Sequence, residues 1–193
     1  MKILITGGGG YIGSYIINNL PKKYDIICLD HGKKYSQFDE SVKNNVTLIK
    51  GDVTDSKLLE KIMSKGIDTI IHCAGTVGNS VCMEDPMSAI SSHIHGTQLL
   101  IEKSIKFKVK RFIYMSTLAV YSTFTKRKIP FTENTELKPD DFYGTLKMIA
   151  EKHIQKNQPN YVILRLANVY GKARKAQNKT KLGVVENFID AIL

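Results

Sequence analysis

Hydrophobic residues gather into six short runs, at positions 2–6, 25–29, 46–49, 69–72, 112–115 and 161–166. The runs are rich in isoleucine and valine and mostly lack alternating polar positions, the habit of parallel strands covered on both faces. Between them apolar residues fall at helical spacing. Positions 10–20 set Tyr11, Tyr15 and Asn19, and beside them Ile12, Ile16 and Leu20, four residues apart. Positions 54–65 open on Thr54 and Asp55, both able to cap a helix, and line up Leu58, Leu59, Ile62 and Met63 on one face. Positions 86–106 and 142–157 read the same way, with Pro86 suited to a first helical turn. Strand alternating with helix predicts an α/β chain built as a doubly wound parallel sheet, without internal repeat or domain linker.

Composition narrows the setting more than the fold. The 193 residues amount to a little over one domain at roughly 150 residues each. A hydrophobic content of 42% is ordinary for a globular chain. No apolar run approaches the roughly 18 residues of a membrane span, and the stretch after Met1 is too short for a signal peptide. A cytoplasmic protein without membrane contact is the expectation. Cys28, Cys73 and Cys82 are odd in number and lack metal-ligand spacing, so buried reduced thiols are expected and no metal site.

Charge is uneven. Twenty-eight basic and eighteen acidic residues give +10, and segments 101–128 and 152–185 carry +7 and +8 of it, leaving −5 elsewhere. Such concentration suits an anionic partner or a solvated lysine-rich surface. Lysine outnumbers arginine 24 to 4, whereas arginine makes the commonest specific base contact. The chain also offers no groove-reading helix or set of stacking aromatics, so nucleic acid is not the expected partner.

Chemistry-bearing motifs begin directly after the first run. Thr6-Gly7-Gly8-Gly9-Gly10-Tyr11-Ile12-Gly13 joins the first strand to the first helix, with Gly7, Gly10 and Gly13 in a GxxGxxG ladder. Glycine permits a tight turn, close approach of backbone to a pyrophosphate, and close helix-to-strand packing. The helix N-terminus adds free N–H groups and a positive dipole end. Asp30 ends the next strand, placed to accept hydrogen bonds from adenosine ribose hydroxyls and to repel a 2′-phosphate. That favours NAD, while Lys33 and Lys34 leave NADP open. Farther on, Tyr143 and Lys147 stand four apart on a predicted helix and share a face. A phenol with a pKa near ~10 is a poor base at neutral pH. An ammonium and a positive nicotinamide ring beside it favour the phenolate and lower that value. The phenolate can then remove a hydroxyl proton while hydride leaves the same carbon for NAD.

With these motifs placed, the chain resembles the extended short-chain dehydrogenase/reductases, and within them the NAD-dependent nucleotide-sugar epimerases and dehydratases. The matching stretches are residues 6–13, Gly51-Asp52-Val53-Thr54-Asp55, His72-Cys73-Ala74-Gly75, Gly96-Thr97, Tyr114-Met115-Ser116-Thr117-Leu118-Ala119-Val120-Tyr121, Tyr143-Gly144-Thr145-Leu146-Lys147 and Arg165-Leu166-Ala167-Asn168-Val169-Tyr170-Gly171. They span nearly the whole chain in the family's order. The resemblance implies a Rossmann fold that holds NAD with Gly7, Gly10, Tyr11, Ile12, Gly13 and Asp30. It puts Asp52 and Val53 at the adenine, and Ala74 and Gly75 along the cofactor beyond the fourth strand. Tyr143 and Lys147 act on both cofactor and substrate, and Thr117 hydrogen-bonds the reacting hydroxyl, with Ser116 as second choice. Asn168 and Arg174 are the implied contacts to a nucleotide-diphosphate sugar. A homodimer through the helices at 86–106 and 142–157 is implied as well.

Departures from the family pattern sharpen the reading. His93 stands where an asparagine usually opens NxxGT, close to the nicotinamide and the catalytic tyrosine. His93 and His95 are two apart and do not face each other, so they are not a metal pair. Ser122 replaces the glycine that commonly follows Val-Tyr. Dehydratases carry Asp-Glu after the catalytic threonine, and here Leu118-Ala119 stand there, which removes the acid and base for eliminating water. An epimerase or simple dehydrogenase/reductase is therefore preferred over a dehydratase, and an NAD-binding sensor or scaffold without turnover is the other class. Residues 1–171 form the expected NAD-binding domain, and 172–193 begin a substrate region whose small C-terminal lobe is largely absent. The expectation is a fragment of a longer enzyme, since Val184, Val185, Phe188, Ile189 and Ile192 form an apolar stripe that needs a partner surface. The five bases within 172–181 suit a nucleotide diphosphate or a solvated loop.

Overall fold

A computed structural model describes residues 1–32, 38, 45–121 and 130–170. Lys33, Lys34, Ser122, Gly171, Arg174, the basic stretch 172–181 and the apolar stripe at 184–192 lie outside the described residues. Six strands form one parallel sheet: β1 (Lys2–Thr6), β2 (Asp25–Asp30), β3 (Val46–Lys50), β4 (Thr69–His72), β5 (Arg111–Thr117) and β6 (Tyr161–Leu166). Their order is β3-β2-β1-β4-β5-β6, every neighbouring pair parallel. The chain therefore starts mid-sheet and winds outward in both directions, with the switch between β1 and β4. This is the expected doubly wound Rossmann arrangement, whose ligand crevice opens at the carboxyl ends of the strands beside the switch.

The pleat explains why the strands are apolar on both faces. Leu4 packs into one core cluster with Leu29, Leu59, Ile62, Ile70, Phe112, Tyr114 and Leu100. Its neighbours Ile3 and Ile5 point the other way, into a cluster with Ile17, Ile26, Cys28, Ile71 and Met115. The two edge strands are the exception to the expected full burial. In β6 Tyr161, Val162 and Leu164 are exposed, and β3 is exposed at Thr47, Leu48 and Lys50.

Helices α1 (Tyr11–Asn19), α2 (Ser56–Met63), α3 (Asn79–Glu84), α4 (Pro86–Ile90), α5 (Gly96–Lys106) and α6 (Phe142–Asn157) flank the sheet. Helix α1 buries Gly13, Ser14 and Ile17 rather than Tyr11 and Tyr15, and Tyr15 is exposed. The glycine brings the helix against the β1 turn, so the small residues face inward. The single helix expected over 86–106 is instead α4, a π turn (Ser91–His95) and α5. The wider turn rotates the two halves, burying His93 and leaving His95 exposed. Helix α3 has no counterpart in the sequence reading, because six residues are too few for a periodic apolar face to show.

One buried polar link ties the switch point together. His72, fully buried, pairs through Nδ1 with Thr6 Oγ1 at 2.7 Å and through Nε2 with Thr97 Oγ1 at 3.0 Å. Burial, with the charges of Lys147 and His93, holds its pKa well below the ordinary histidine value. Among the described residues no helix is long and apolar enough to cross a membrane. The three cysteines are free, and Cys28 and Cys82 are buried while Cys73 is half-buried.

Candidate active site

The carboxyl ends of β1, β2, β4 and β5 bring most of the candidate residues to one end of the sheet. After β1, Gly7 turns with φ +67°, donates its N–H to Leu29 O at 2.8 Å, and accepts from Gly10 N at 3.0 Å. A Cβ on Gly7 would lie 2.6 Å from the Ala74 amide nitrogen, and one on Gly13 would lie 2.7 Å from Gly8 Cα. Neither distance is open to a real side chain, so the cradle exists only with glycine there. The start of α1 differs from three other helix starts. Asp55, Asp85 and Asp141 cap α2, α4 and α6 with side-chain carboxylates, whereas the α1 cap is Gly10, with no side-chain acceptor and no acid in the first turn. The first-turn N–H groups there, beside Tyr11 and Ile12, suit an anion of the size of a phosphate.

Asp30 ends β2 and accepts a hydrogen bond from Gly9 N at 2.9 Å through Oδ2. Asp52 accepts from Thr54 N and Thr54 Oγ1, each at 2.8 Å, and faces His31 Nε2 at 3.5 Å. Burial opposes its ionisation, but the Thr54 donors and His31 hold the carboxyl below its ordinary value. Val53 is buried where a Cβ on Gly96 would strike it. Ala74 and Gly75 follow β4 beside the glycine turn, and Gly75 takes φ +136°. The backbone turn and the carboxylates of Asp30 and Asp52 on one end of the sheet fit a dinucleotide such as NAD.

The second half of the site is made of side chains. The α6 cap, Asp141 Oδ1, accepts from Gly144 N at 2.6 Å. Asn79 of α3 adds its Oδ1 to the Phe142 and Tyr143 N–H groups at 3.2 and 3.4 Å. Helix α6 thereby presents Tyr143 and Lys147 to the end of β5, the Lys147 nitrogen 6.0 Å from the Tyr143 ring centre. Thr117 ends β5 with its hydroxyl accepting from Ala119 N at 3.2 Å. Lys147 is buried and donates to Met115 O at 2.8 Å. Burial pushes its pKa down to about 8, against the pull of Cys73, Cys82 and Glu151.

The lowered phenol expected for Tyr143 is not what this arrangement produces. Burial, helped by Cys82 and Asp141, pushes Tyr143 up to about 12, and a hydrogen bond with Thr117 offsets only part of it. Desolvation penalises the phenolate more than a lysine at this separation favours it. Asn168 lies exposed just beyond β6, on the same end of the sheet, and Arg174 falls outside the described residues. Among the described residues no three His, Cys, Asp or Glu side chains group as a metal site.

Sequence reasoning missed a buried ion pair behind this cluster. Glu151, fully buried one turn after Lys147, takes Arg165 Nε on both oxygens at 3.1 Å and Arg165 Nη2 at 2.8 Å, and accepts from Ser116 Oγ. Arg165 also donates to Tyr121 Oη at 2.6 Å and Glu133 O at 3.0 Å. The signal was available: Tyr143, Lys147 and Glu151 are spaced by four on one helix face. Ser116 is thus engaged in bracing the end of β5, which leaves Thr117 as the hydroxyl toward Tyr143.

Fold and crevice define a dinucleotide-dependent α/β protein with a Thr-Tyr-Lys cluster. The model of the NAD dependent epimerase/dehydratase family matches residues 3–193, and the chain belongs to that family. It is 34% identical over 179 residues to UDP-glucose 4-epimerase of Halalkalibacterium halodurans, covering 89% of this chain and 52% of that protein. It is 30% identical over 213 residues to dTDP-D-glucose 4,6-dehydratase of Dictyostelium discoideum, covering 100% of this chain and 48% of that protein. The solved structure of Thermotoga maritima UDP-glucose 4-epimerase with UDP-glucose matches with a TM-score of 0.86 at 28% identity, over 97% of this chain and 62% of that one. The chain spans about half to three fifths of the length of these proteins. The family's members are NAD-dependent enzymes, in agreement with the cofactor expected from Asp30 and the glycine turn.

Proposed function

We infer that this chain is the NAD-binding part of a nucleotide-sugar epimerase, with residues 1–171 as the cofactor domain and 172–193 as the start of the substrate region. The observation that carries the reading is the meeting of Thr117, Tyr143 and Lys147 beside the glycine turn, at one end of the sheet. Gly7, Gly10, Tyr11, Ile12 and Gly13 would take the pyrophosphate, Asp30 the adenosine ribose, and Asp52 and Val53 the adenine. Ala74 and Gly75 would line the path toward Tyr143. Bound NAD would supply the hydride acceptor and a positive ring at this end of the crevice.

The chain's own residues do the rest. Tyr143, held as a phenol by burial, becomes a base when positive charge accumulates beside it, and Lys147 stays mostly charged at neutral pH with a pKa of about 8. Thr117 holds the sugar hydroxyl whose proton Tyr143 removes, and Tyr143 returns that proton when hydride comes back. Leu118 and Ala119 put no acid or base next to Thr117, so this reading favours epimerisation over loss of water. Asn168 and Arg174 would contact the nucleotide sugar. Met87, Ile90, Ile105 and Ile149 stand exposed on the helices at 86–106 and 142–157, which supports a homodimer through them. The free cysteines suit a reducing, cytoplasmic setting.

Calorimetric titration of the chain with NAD, followed by interconversion of UDP-glucose and UDP-galactose in the longest natural form of the protein, tests the reading. Saturable NAD binding and interconversion are expected. Binding with no turnover of any UDP- or dTDP-hexose would replace it with the sensor or scaffold reading.

A further inference from the structure

Lys147 is a buried cation with no ion pair among the described residues. It is 5% exposed and donates to Met115 O at 2.8 Å. The carboxylate one turn along α6, Glu151, is taken by Arg165 Nε and Nη2 and by Ser116 Oγ. A buried ammonium that keeps its charge needs compensation close at hand, from a counter-charge, hydrogen bonds or an aromatic face. On the β5 side the Lys147 nitrogen meets the Tyr114 ring, whose centre is 4.7 Å away, against 6.0 Å for the Tyr143 ring. A cation at this distance is attracted by the negative face of the π system, most strongly where water is absent.

The Tyr114 ring is fixed by its surroundings. It is fully buried in β5, in register with His72 of β4 and Ile163 of β6. The His72 ring centre lies 5.5 Å away at a tilt of 39°, and His72 is itself held by Thr6 and Thr97. The Tyr114 hydroxyl, by contrast, meets no hydrogen-bond partner among the described residues. An unmet buried hydroxyl is a cost, so what this side chain contributes is its ring.

The other groups that face Lys147 offer no counter-charge at neutral pH. Burial pushes up the thiols of Cys73, after β4, and Cys82, on α3, the first to about 12. Burial likewise raises the Tyr143 phenol to about 12, and it pushes His72 of β4 and His93 of the π turn down. His93 Nε2 lies 2.8 Å from Thr76 O, where its hydrogen is donated.

Resting on the reading of Tyr143 as the base, we propose that Tyr114 is a positioning residue: its ring face holds the Lys147 ammonium in place and charged beside Tyr143. It acts on the proton chemistry through Lys147, without touching cofactor or substrate.

The test grades the ring face at nearly constant volume. Tyr114→Phe is prepared with no, one, two or three fluorines on the new ring, each of which withdraws negative charge from the face. The lysines are labelled with 13C at Cε, the signal lost in Lys147→Arg identifies Lys147, and its titration is followed without NAD or sugar. Tyr114→Phe without fluorine should titrate as the parent does, at about 8. It should unfold at no lower urea concentration, since only the unmet hydroxyl is gone. Three fluorines should lower the proton affinity of Lys147 about tenfold, with the intermediate variants in order. In the longest natural form of the protein, the alkaline limb of turnover should move to lower pH along the same series, because Lys147 is charged only below its pKa.

The proposal is overturned if Lys147 titrates alike across the series, or if Tyr114→Phe without fluorine lowers it as far as three fluorines do. A graded titration with an unmoved rate profile overturns the positioning role. Because the titration needs no ligand, a parent chain that binds no NAD would overturn the functional reading and the positioning role with it, whereas a flat series overturns this proposal alone.

Discussion

The glycine turn after β1 and the Tyr143 cluster on α6 share one end of the sheet but are made of different material. The turn is backbone: its geometry follows from what Gly7 and Gly13 lack, and its own residues are consecutive in the sequence, though Leu29, Asp30 and Ala74 close in around them. The cluster is side chain: Thr117 from β5, Tyr143 and Lys147 from α6, and His93 from the π turn, steadied by Asn79 of α3 and the Glu151–Arg165 pair. The turn carries N–H dipoles that need no titration. The cluster carries groups whose charge state is decided by burial, with Tyr143 up to about 12, Lys147 down to about 8 and His93 down to about 4. A cradle for a fixed anion can be built from local geometry, whereas proton chemistry requires groups removed from water by the whole fold.

The largest separation between the two regions should come from Tyr143→Phe. Turnover is expected to fall by roughly 10²–10⁴-fold, the usual contribution of a positioned acid or base. NAD affinity should stay within a few-fold, because the glycine turn is untouched. Rate assays paired with NAD titration check both halves, and unchanged turnover would remove Tyr143 as the base.

Glu151→Ala attacks the brace rather than the chemistry. It leaves Ser116 and the part-buried Arg165 without Glu151, and because Arg165 keeps Tyr121 Oη and Glu133 O the loss should reach at most about 3 kcal/mol, the low end for breaking a buried ion pair. Urea unfolding should show a loss of this order, where Ser116→Ala should cost only about 1 kcal/mol.

Acid should weaken the cluster side first. Unfolded histidines titrate near ~6.5, while the folded values of His72 and His93 are depressed. Below ~6.5 the unfolded chain therefore binds protons that the folded chain does not. Stability is present above that value and is lost as pH falls toward the folded values, about 4 for His93. Urea midpoints measured between pH 7.5 and 4.5, with His72→Asn as the comparison, should show the loss and its reduction in the variant.

The smallest expected effect lies on the cradle side. Asp30→Asn keeps an acceptor for Gly9 N but removes the charge. NAD should bind roughly five- to tenfold more weakly and NADP relatively better, which competitive titration reads directly.

Legibility followed the same division. The six strands and the glycine turn could be read because apolar runs and glycine spacing are local signals, and Asp30 could be placed because it ends a strand adjoining β1. Tyr143 and Lys147 could be paired because helix periodicity puts residues four apart on one face. Helix α3, the π turn and the buried Glu151 could not be read with equal ease. Each depends on contacts between residues distant in sequence: Asn79 with the start of α6, His93 with Thr76 and Gly75, Glu151 with Ser116 and Arg165. Burial raises Tyr143 in the chain alone, a contribution the residue order does not show, since adjacency to a lysine is visible in a sequence and the depth of burial is not.

Residue order by itself thus determined the parallel α/β architecture, the glycine turn after β1 and the pairing of Tyr143 with Lys147 on one helix face, because these rest on backbone preference and short-range periodicity. Only the tertiary structure decided which hydroxyl, Ser116 or Thr117, is free to face the tyrosine, which way the buried groups titrate, and that His93 Nδ1 meets no donor among the described residues. Those outcomes depend on desolvation and on partners brought together from separate elements, and both arise only when the chain is folded.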